Sequence, residues 1–381
     1  MTVRRSAVLA TLVIALCGLF GIASVQMLVA APPKSGDKKT KSRSSRSKSS
    51  KKKSAGTSFK KGPREKEFAD AVGEDYRVKH TDHFIVLTNA DEAIVRDFLP
   101  RLEKTYDSVH RFVDQVGVKI KYPKEKLPVL FCHDFDEYSA RCKQLAGQPA
   151  PSDAAGLYWP HPLNFSLFYD MSQVSFVKET TAKAEQLKQD AARTPDRNAK
   201  QAKLREANWY INRIAIYQQE QNRSVVQHEV AHQLLFNLQF HKIDVDNPQW
   251  LVEGMATLFE PPPGKTGAGF NVINQSRLGE IRDALVVMKT EDLKNFVSST
   301  YAGMLSSEGY AQSWALCYYL VKRKSKELPK YVELIKKRPV NREMSAKENL
   351  ADFEKCFGKV NDLFTKKFTN YITKLPFMPP Q

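Results

Sequence analysis

The chain has 381 residues, of which 42% are hydrophobic and 27% charged, and a formal charge of +17. That apolar share excludes a wholly disordered chain and suffices for one large domain or two small ones. The charge invites a nucleic-acid partner, yet residues 34–61 hold twelve Lys or Arg against Asp37 alone and Arg4 and Arg5 add two, so the rest carries +4; with no basic stripe interleaved with aromatics, no nucleic acid is expected as partner.

Residues 1–31 read as an export signal: Arg4 and Arg5, an apolar stretch from Ala7 to Ala23, then small residues at Val29-Ala30-Ala31. The apolar stretch is long for a signal core and short for a span, so an N-terminal membrane segment is the other reading. Residues 32–62, Lys- and Ser-rich, cannot bury apolar surface and repel themselves, which predicts a disordered linker. Its charge would also suit an anionic envelope polymer or lipid surface. Cys132, Cys142, Cys317 and Cys356 are too few for a disulfide framework; Cys132 and Cys142 are either bridged or buried free thiols.

The domain proper is expected over 63–381. His83–Thr88 and Leu127–Cys132 read as strands, Asp91–Val116 as a helix bent near Pro100, and Phe135–Leu145 as another helix. Gly156–Trp159 and Asn164–Tyr169 flank Pro160-His-Pro162 and predict a hairpin, the candidate for a sheet edge that pairs with a peptide. Residues 174–222, rich in Lys, Gln, Ala and Glu, predict a helical insertion broken at Pro195. Ser224-Val-Val-Gln227 has capping-box spacing, which would start a new helix at Val225 and carry it to about Leu238. A second helix is expected over Gln249–Phe259, kept slim by Gly254 and Ala256 so that it can approach the first, and from Gln275 on the pattern is helical to the end.

The chemistry concentrates in Gln227-His228-Glu229-Val230-Ala231-His232-Gln233 and Trp250-Leu251-Val252-Glu253-Gly254-Met255-Ala256. Histidines four apart on a helix project from one face, one turn apart, so His228 and His232 can share a metal. Glu253 is the natural third ligand. Glu229, beside them but free of the metal, suits a general base that accepts a proton from a metal-activated water. His241 is in reach, but no Gly-containing turn separates it from His232, and Glu253 is preferred. The remaining histidines have no partners at helical spacing. Thr257, Asp244 and Asp246 are the candidates for orienting the imidazoles.

At these residues the chain resembles the gluzincin metallopeptidases, in particular the aminopeptidase N-like group, whose motif is His-Glu-x-x-His followed by Trp-Leu-x-Glu-Gly-x-Ala. The resemblance implies a zinc site of His228, His232 and Glu253, Glu229 as base, an α+β zincin-like fold with a small mixed sheet, and a helical C-terminal lobe. It also implies a tyrosine downstream that stabilises the oxyanion. Ser306-Ser-Glu-Gly309 is a turn leading into a helix, which makes Tyr310 the choice over Tyr301, Tyr318 and Tyr319. Two departures stand out: twenty residues separate His232 from Glu253, slightly more than usual, and the Gly-x-Met-Glu-Asn segment that binds a free amino terminus is missing. Aminopeptidase activity is therefore not expected. From His80-Thr-Asp-His-Phe84 to Tyr310-Ala-Gln-Ser-Trp314 the chain looks more like a family of exported, peptidase-like proteins labelled only as domain of unknown function 1570.

The expectation is thus an exported zinc metallopeptidase acting on a peptide or protein substrate. The alternative is a catalytically silent envelope protein in which zinc braces two helices, or a binding module recruited through the insertion and linker.

Overall fold

The computed structural model describes residues 59–150, 154–261, 269–299 and 306–378. The expected export signal, nearly all of the linker and Tyr301 lie outside the described residues. Among those described, no helix is long and apolar enough to cross a membrane.

The fold is α+β. Its five strands are β1 (Arg77–His80), β2 (Phe84–Thr88), β3 (Leu127–Cys132), β4 (Gly156–Trp159) and β5 (Phe165–Tyr169), in the spatial order β1-β2-β3-β5-β4. The three central strands run parallel to one another, while β1 and β4 lie antiparallel at the two edges. Strands β2 to β5 are buried at every residue, so both faces are covered and the strands read as continuous apolar runs rather than alternating ones. β1 is mostly exposed and polar, the reason that no apolar signal marks it. The hairpin expected around Pro160–Pro162 is β4–β5.

Two helical layers sandwich the sheet. On one face α1 (Pro63–Val72) sets Phe68 on Phe165, and α3 (Phe135–Ala146) sets Tyr138 against Tyr169. Residues two apart on a strand share a face, so Ser166 and Phe168 point the other way. There α2 (Glu92–Val116), which runs through Pro100, stacks Phe98 on Phe131 and beside Phe168. Ser166 Oγ donates to Gln233 Oε1 of α5 (Arg197–Asn237), and Gln233 Nε2 in turn donates to the carbonyls of Pro128 and Asn164. These bonds pin the stretch of α5 around Gln233 under β3 and β5.

The start of α5 differs from expectation. Pro195 does separate it from α4 (Ser175–Arg193), but no helix begins at Val225: Asp196 caps Ala199 N at 2.7 Å and one helix of 41 residues runs on through Ser224. No Gly or Pro interrupts 197–237, and with its donors already satisfied by the preceding turn, the Ser224 backbone needs no cap. The second half of the expected insertion is therefore the first half of the helix that carries His228 and His232.

The remainder is helical as expected: α6 (Gln249–Thr257), α7 (Gln275–Val287), α8 (Thr290–Ser298), α9 (Ser307–Arg323), α10 (Leu328–Ile335), α11 (Ala346–Phe357) and α12 (Asp362–Thr373). Trp250 of α6 anchors this lobe, stacked on Tyr331 and edge-on to Phe353. Gly254 also differs from expectation. A Cβ there would lie 2.4 Å from Ser313 O and 2.5 Å from Cys317 Sγ, so the glycine lets α6 approach α9, not α5. Cys132, Cys142, Cys317 and Cys356 are free thiols, the first three buried.

Candidate metal centre

Helix α5 turns His228 and His232 to one side, and α6 lays Glu253 across them. His228 Nε2 and His232 Nε2 lie 3.0 Å apart, and Glu253 Oε2 lies 3.2 Å from each. All three side chains are buried, and among the described residues they form the group that could hold a metal ion. Imidazole and carboxylate bonds to zinc of about 2.0–2.1 Å place tetrahedral neighbours roughly 3.3 Å apart, close to these separations. Nitrogen donors at this spacing do not suit calcium, which takes oxygen ligands at about 2.3–2.6 Å.

Charge makes the same case. Glu229, Glu253 and Glu260 are buried around the imidazoles, and Arg277 is the buried cation that offsets one of them. A divalent cation would offset the buried carboxylates that Arg277 leaves unpaired. Without it, burial alone would depress the His228 pKa, but hydrogen bonds with Glu253 and Glu260 reverse this and hold it far above the ordinary range. Burial would likewise raise Glu253, and the nearby His232 and His228 instead hold it well below.

A set of supporting residues fixes the ligands. His228 Nδ1 donates to Glu260 Oε1 at 3.0 Å, which leaves the Nε2 lone pair for a metal. Glu260 receives Arg277 through Nη2 at 2.9 Å and Nε at 3.1 Å, and Asn274 Nδ2 at 2.7 Å. Burial would raise the Glu260 pKa; the Arg277 charge overcomes it and keeps the carboxylate ionised. Gln249 Nε2 donates to Glu253 Oε1 at 2.8 Å, and Gln227 Nε2 donates to the carbonyls of Phe259 and Pro261, tying the chain after α6 back to α5.

None of the three residues expected to orient the imidazoles does so. Thr257 Oγ1 donates to Gly254 O within its own helix, Asp246 Oδ2 accepts from Met344 N, and Asp244 pairs with Lys242. Asp244 is thus taken up within the 242–248 loop and Asp246 in tying that loop to Met344. Glu260 does carry a readable signal, lying seven residues, about two turns, beyond Glu253. Arg277 and Asn274 carry none, since only the tertiary fold returns α7 to this point.

Glu229 is fully buried beside the ligands, its backbone one residue past His228. Strand β4 crosses close above it, for a Cβ on Gly156 would fall 2.9 Å from Glu229 Cγ and 2.7 Å from Val225 Cγ1. The expected edge strand therefore lies on the metal helix. Tyr310, in the first turn of α9, sets its ring 5.8 Å from the His228 ring, edge-on, and the Arg277 guanidinium lies over the Tyr310 ring, 5.2 Å from its centre. Its rivals Tyr318 and Tyr319 pack instead against Tyr371. His241 is buried against Phe236 and Phe240, outside the ligand group, and burial pushes its pKa down to about 3, so it is a neutral core residue. His83 pairs through Nδ1 with Glu103, and His110 pairs with Asp114 and Tyr122.

A family model described as a protein of unknown function (DUF1570) matches residues 222–341. The match begins far beyond His80 and omits the sheet, but it spans the buried half of α5 and helices α6 to α10. Within it fall His228, Glu229, His232, Glu253, Glu260, Arg277 and Tyr310. No curated protein matches the chain.

Proposed function

We propose that this protein is an exported zinc-dependent hydrolase of peptide or amide bonds. The observation that carries the reading is a buried His228–His232–Glu253 group with a fourth buried residue, Glu229, that lies on the helix of the two histidines but outside the ligand set. A structural metal site has no use for a buried carboxylate in that position, whereas hydrolysis needs a base there. Export rests on the order of charge, apolar core and small residues in 1–31.

Zinc bound by the three ligands would polarise a carbonyl and bring the pKa of water to about 7. Glu229 takes the proton of the attacking water and later delivers it to the leaving nitrogen. Its buried setting, under Gly156, keeps the carboxylate from being solvated away from that task. The outer edge of β4, terminal in the sheet, offers backbone groups to an extended peptide laid along it. Tyr310, beside His228, donates its phenol proton toward the oxygen on which charge develops. Glu260 and Arg277 hold His228 in one tautomer through the cycle.

The test is mass-spectrometric profiling of a peptide library with the zinc-loaded protein, its Glu229→Gln variant and its Tyr310→Phe variant, with zinc measured in each. Wild type cleaves; Glu229→Gln retains one zinc and loses cleavage by roughly a hundredfold or more, and Tyr310→Phe loses turnover on the order of a hundredfold with substrate affinity kept. A zinc-loaded wild type that cleaves nothing would favour the silent brace. Full activity in Glu229→Gln would remove that residue from the chemistry.

A further inference from the structure

Between α2, the sheet and α5 lies a cavity of about 290 Å³ that the proposed chemistry does not use. Phe98, Phe131, Phe168, Met171 and Val225 give it apolar walls. Its volume is near the lower end of the roughly 300–1,000 Å³ of ligand sites, which suits a phenylalanine-sized body.

The polar groups on this cavity are the unusual part. Arg101 of α2 lines it, as does Asn222 of α5, whose Oδ1 accepts from Met171 N at 3.4 Å, leaving the amide NH2 as a donor. Arg223 follows Asn222, and its Nε is buried with no hydrogen-bond partner among the described residues. Burial lowers the pKa of both arginines, and the Arg101 charge lowers that of Arg223 further. Both nonetheless remain cations. The acids that oppose them, Asp97 at the cavity and Glu220 beside Arg223, are exposed. Water screens those exposed carboxylates more than it screens the half-buried guanidiniums, which leaves the cationic groups the better placed to meet an anion in the cavity.

We propose that this cavity is a binding site for a monocarboxylate with an apolar body, the body among Phe98, Phe131, Phe168 and Val225 and the carboxylate on Arg101 and Asn222, with Arg223 behind them. A planar carboxylate matches the guanidinium fork, and an anion relieves the repulsion between two partly desolvated cations. Two sources offer this chemistry: a free aromatic or aliphatic acid, and the C-terminal residue of a peptide. The second is favoured by position. Val225, which walls the cavity, and Glu229 both meet Gly156, so the cavity begins one helical turn from the proposed base. That link to catalysis rests on the hydrolase reading; the binding itself does not.

The experiment is calorimetric titration of the full chain carrying Glu229→Gln, which prevents turnover from obscuring the heats. The probes are 3-phenylpropanoate and its amide, and acetyl-glycyl-phenylalanine with a free or an amidated C-terminus. Each acid binds, its amide binds roughly tenfold more weakly or worse, and Arg101→Gln erases the difference. Ala215→Trp, on an exposed residue at the cavity wall, weakens all the probes, with circular dichroism and zinc content unchanged. Tighter binding of the peptide acid than of 3-phenylpropanoate supports the site with a peptide C-terminus as occupant; the reverse order supports it with a free acid. Equal binding of acid and amide, an acid preference that survives Arg101→Gln, or no saturable binding at roughly millimolar probe would overturn the site, whatever the peptide library shows.

Discussion

From Arg197 to Asn222, α5 is largely exposed and packs against α4, with Ala207 and Ile214 the buried residues among those whose burial is described. From Val225 to Phe236 every residue is buried, charged and apolar alike. One helical backbone thus passes from solvent into a dry interior. In the exposed half polar residues can change with little consequence. In the buried half each polar group needs a partner, and the pattern loses its amphipathic stripe because there is no wet side left to mark.

The contrast is tested most severely at the metal. His232→Ala removes one of the three donors and leaves the carboxylates of the buried half uncompensated. Zinc content after dialysis should drop from about one per chain to near zero, read by elemental analysis. Undiminished zinc would mean that the metal is bound elsewhere. The next effect is one of packing. Leu234, fully buried, should lose about 2–5 kcal/mol on Leu234→Ala, whereas Leu204, 36% exposed in the other half, should lose no more than about 0.5 kcal/mol on Leu204→Ala. Denaturant titration of the two variants checks the ranking, and equal losses would place both halves in one environment.

Glu260→Gln is a smaller change that keeps volume and removes the charge holding His228 and Arg277. Zinc affinity should fall roughly ten- to a hundredfold, while Glu206→Gln in the exposed half should leave it unaltered. A chelator competition measures both. If Glu260→Gln binds zinc as wild type does, the hydrogen bond to His228 Nδ1 has no influence on the ligand.

What the sequence made legible follows from range. His228, Glu229 and His232 are related by helical geometry alone, and Glu253 joins them by the resemblance of its segment to a family motif, so their convergence needed no tertiary detail. The central strands announced themselves by continuous apolar runs. β1 did not, because Arg77-Val-Lys-His80 is an edge strand held by backbone pairing with no buried face. Arg277 and Asn274 reach Glu260 from a different helix, and Gly254 serves a contact with Ser313 and Cys317 some sixty residues on. Such partners are set by packing, which no local pattern encodes. Ser224 misled for the opposite reason: its local pattern was right for a cap, but the residues before it were already helical.

The smallest expected effect separates those two readings of where α5 begins. If the helix starts at Arg197, the Asp196 carboxylate satisfies Ala199 N, and Asp196→Ala should loosen the first turn by about 1 kcal/mol. The arm is largely exposed, so this loss should appear as faster hydrogen exchange over the first turns of α5 rather than as a lower global stability. Ser224→Ala should then leave exchange over the first turns of α5 unaltered, since alanine is the better helix former by about 0.5 kcal/mol and no cap is removed. The opposite pattern, with Ser224→Ala costing about 1 kcal/mol and Asp196→Ala without effect on exchange, would mean that the metal-site helix is nucleated at Val225. The arm would then be a separate element, and the exposed half of α5 would have no rigid connection to the histidines.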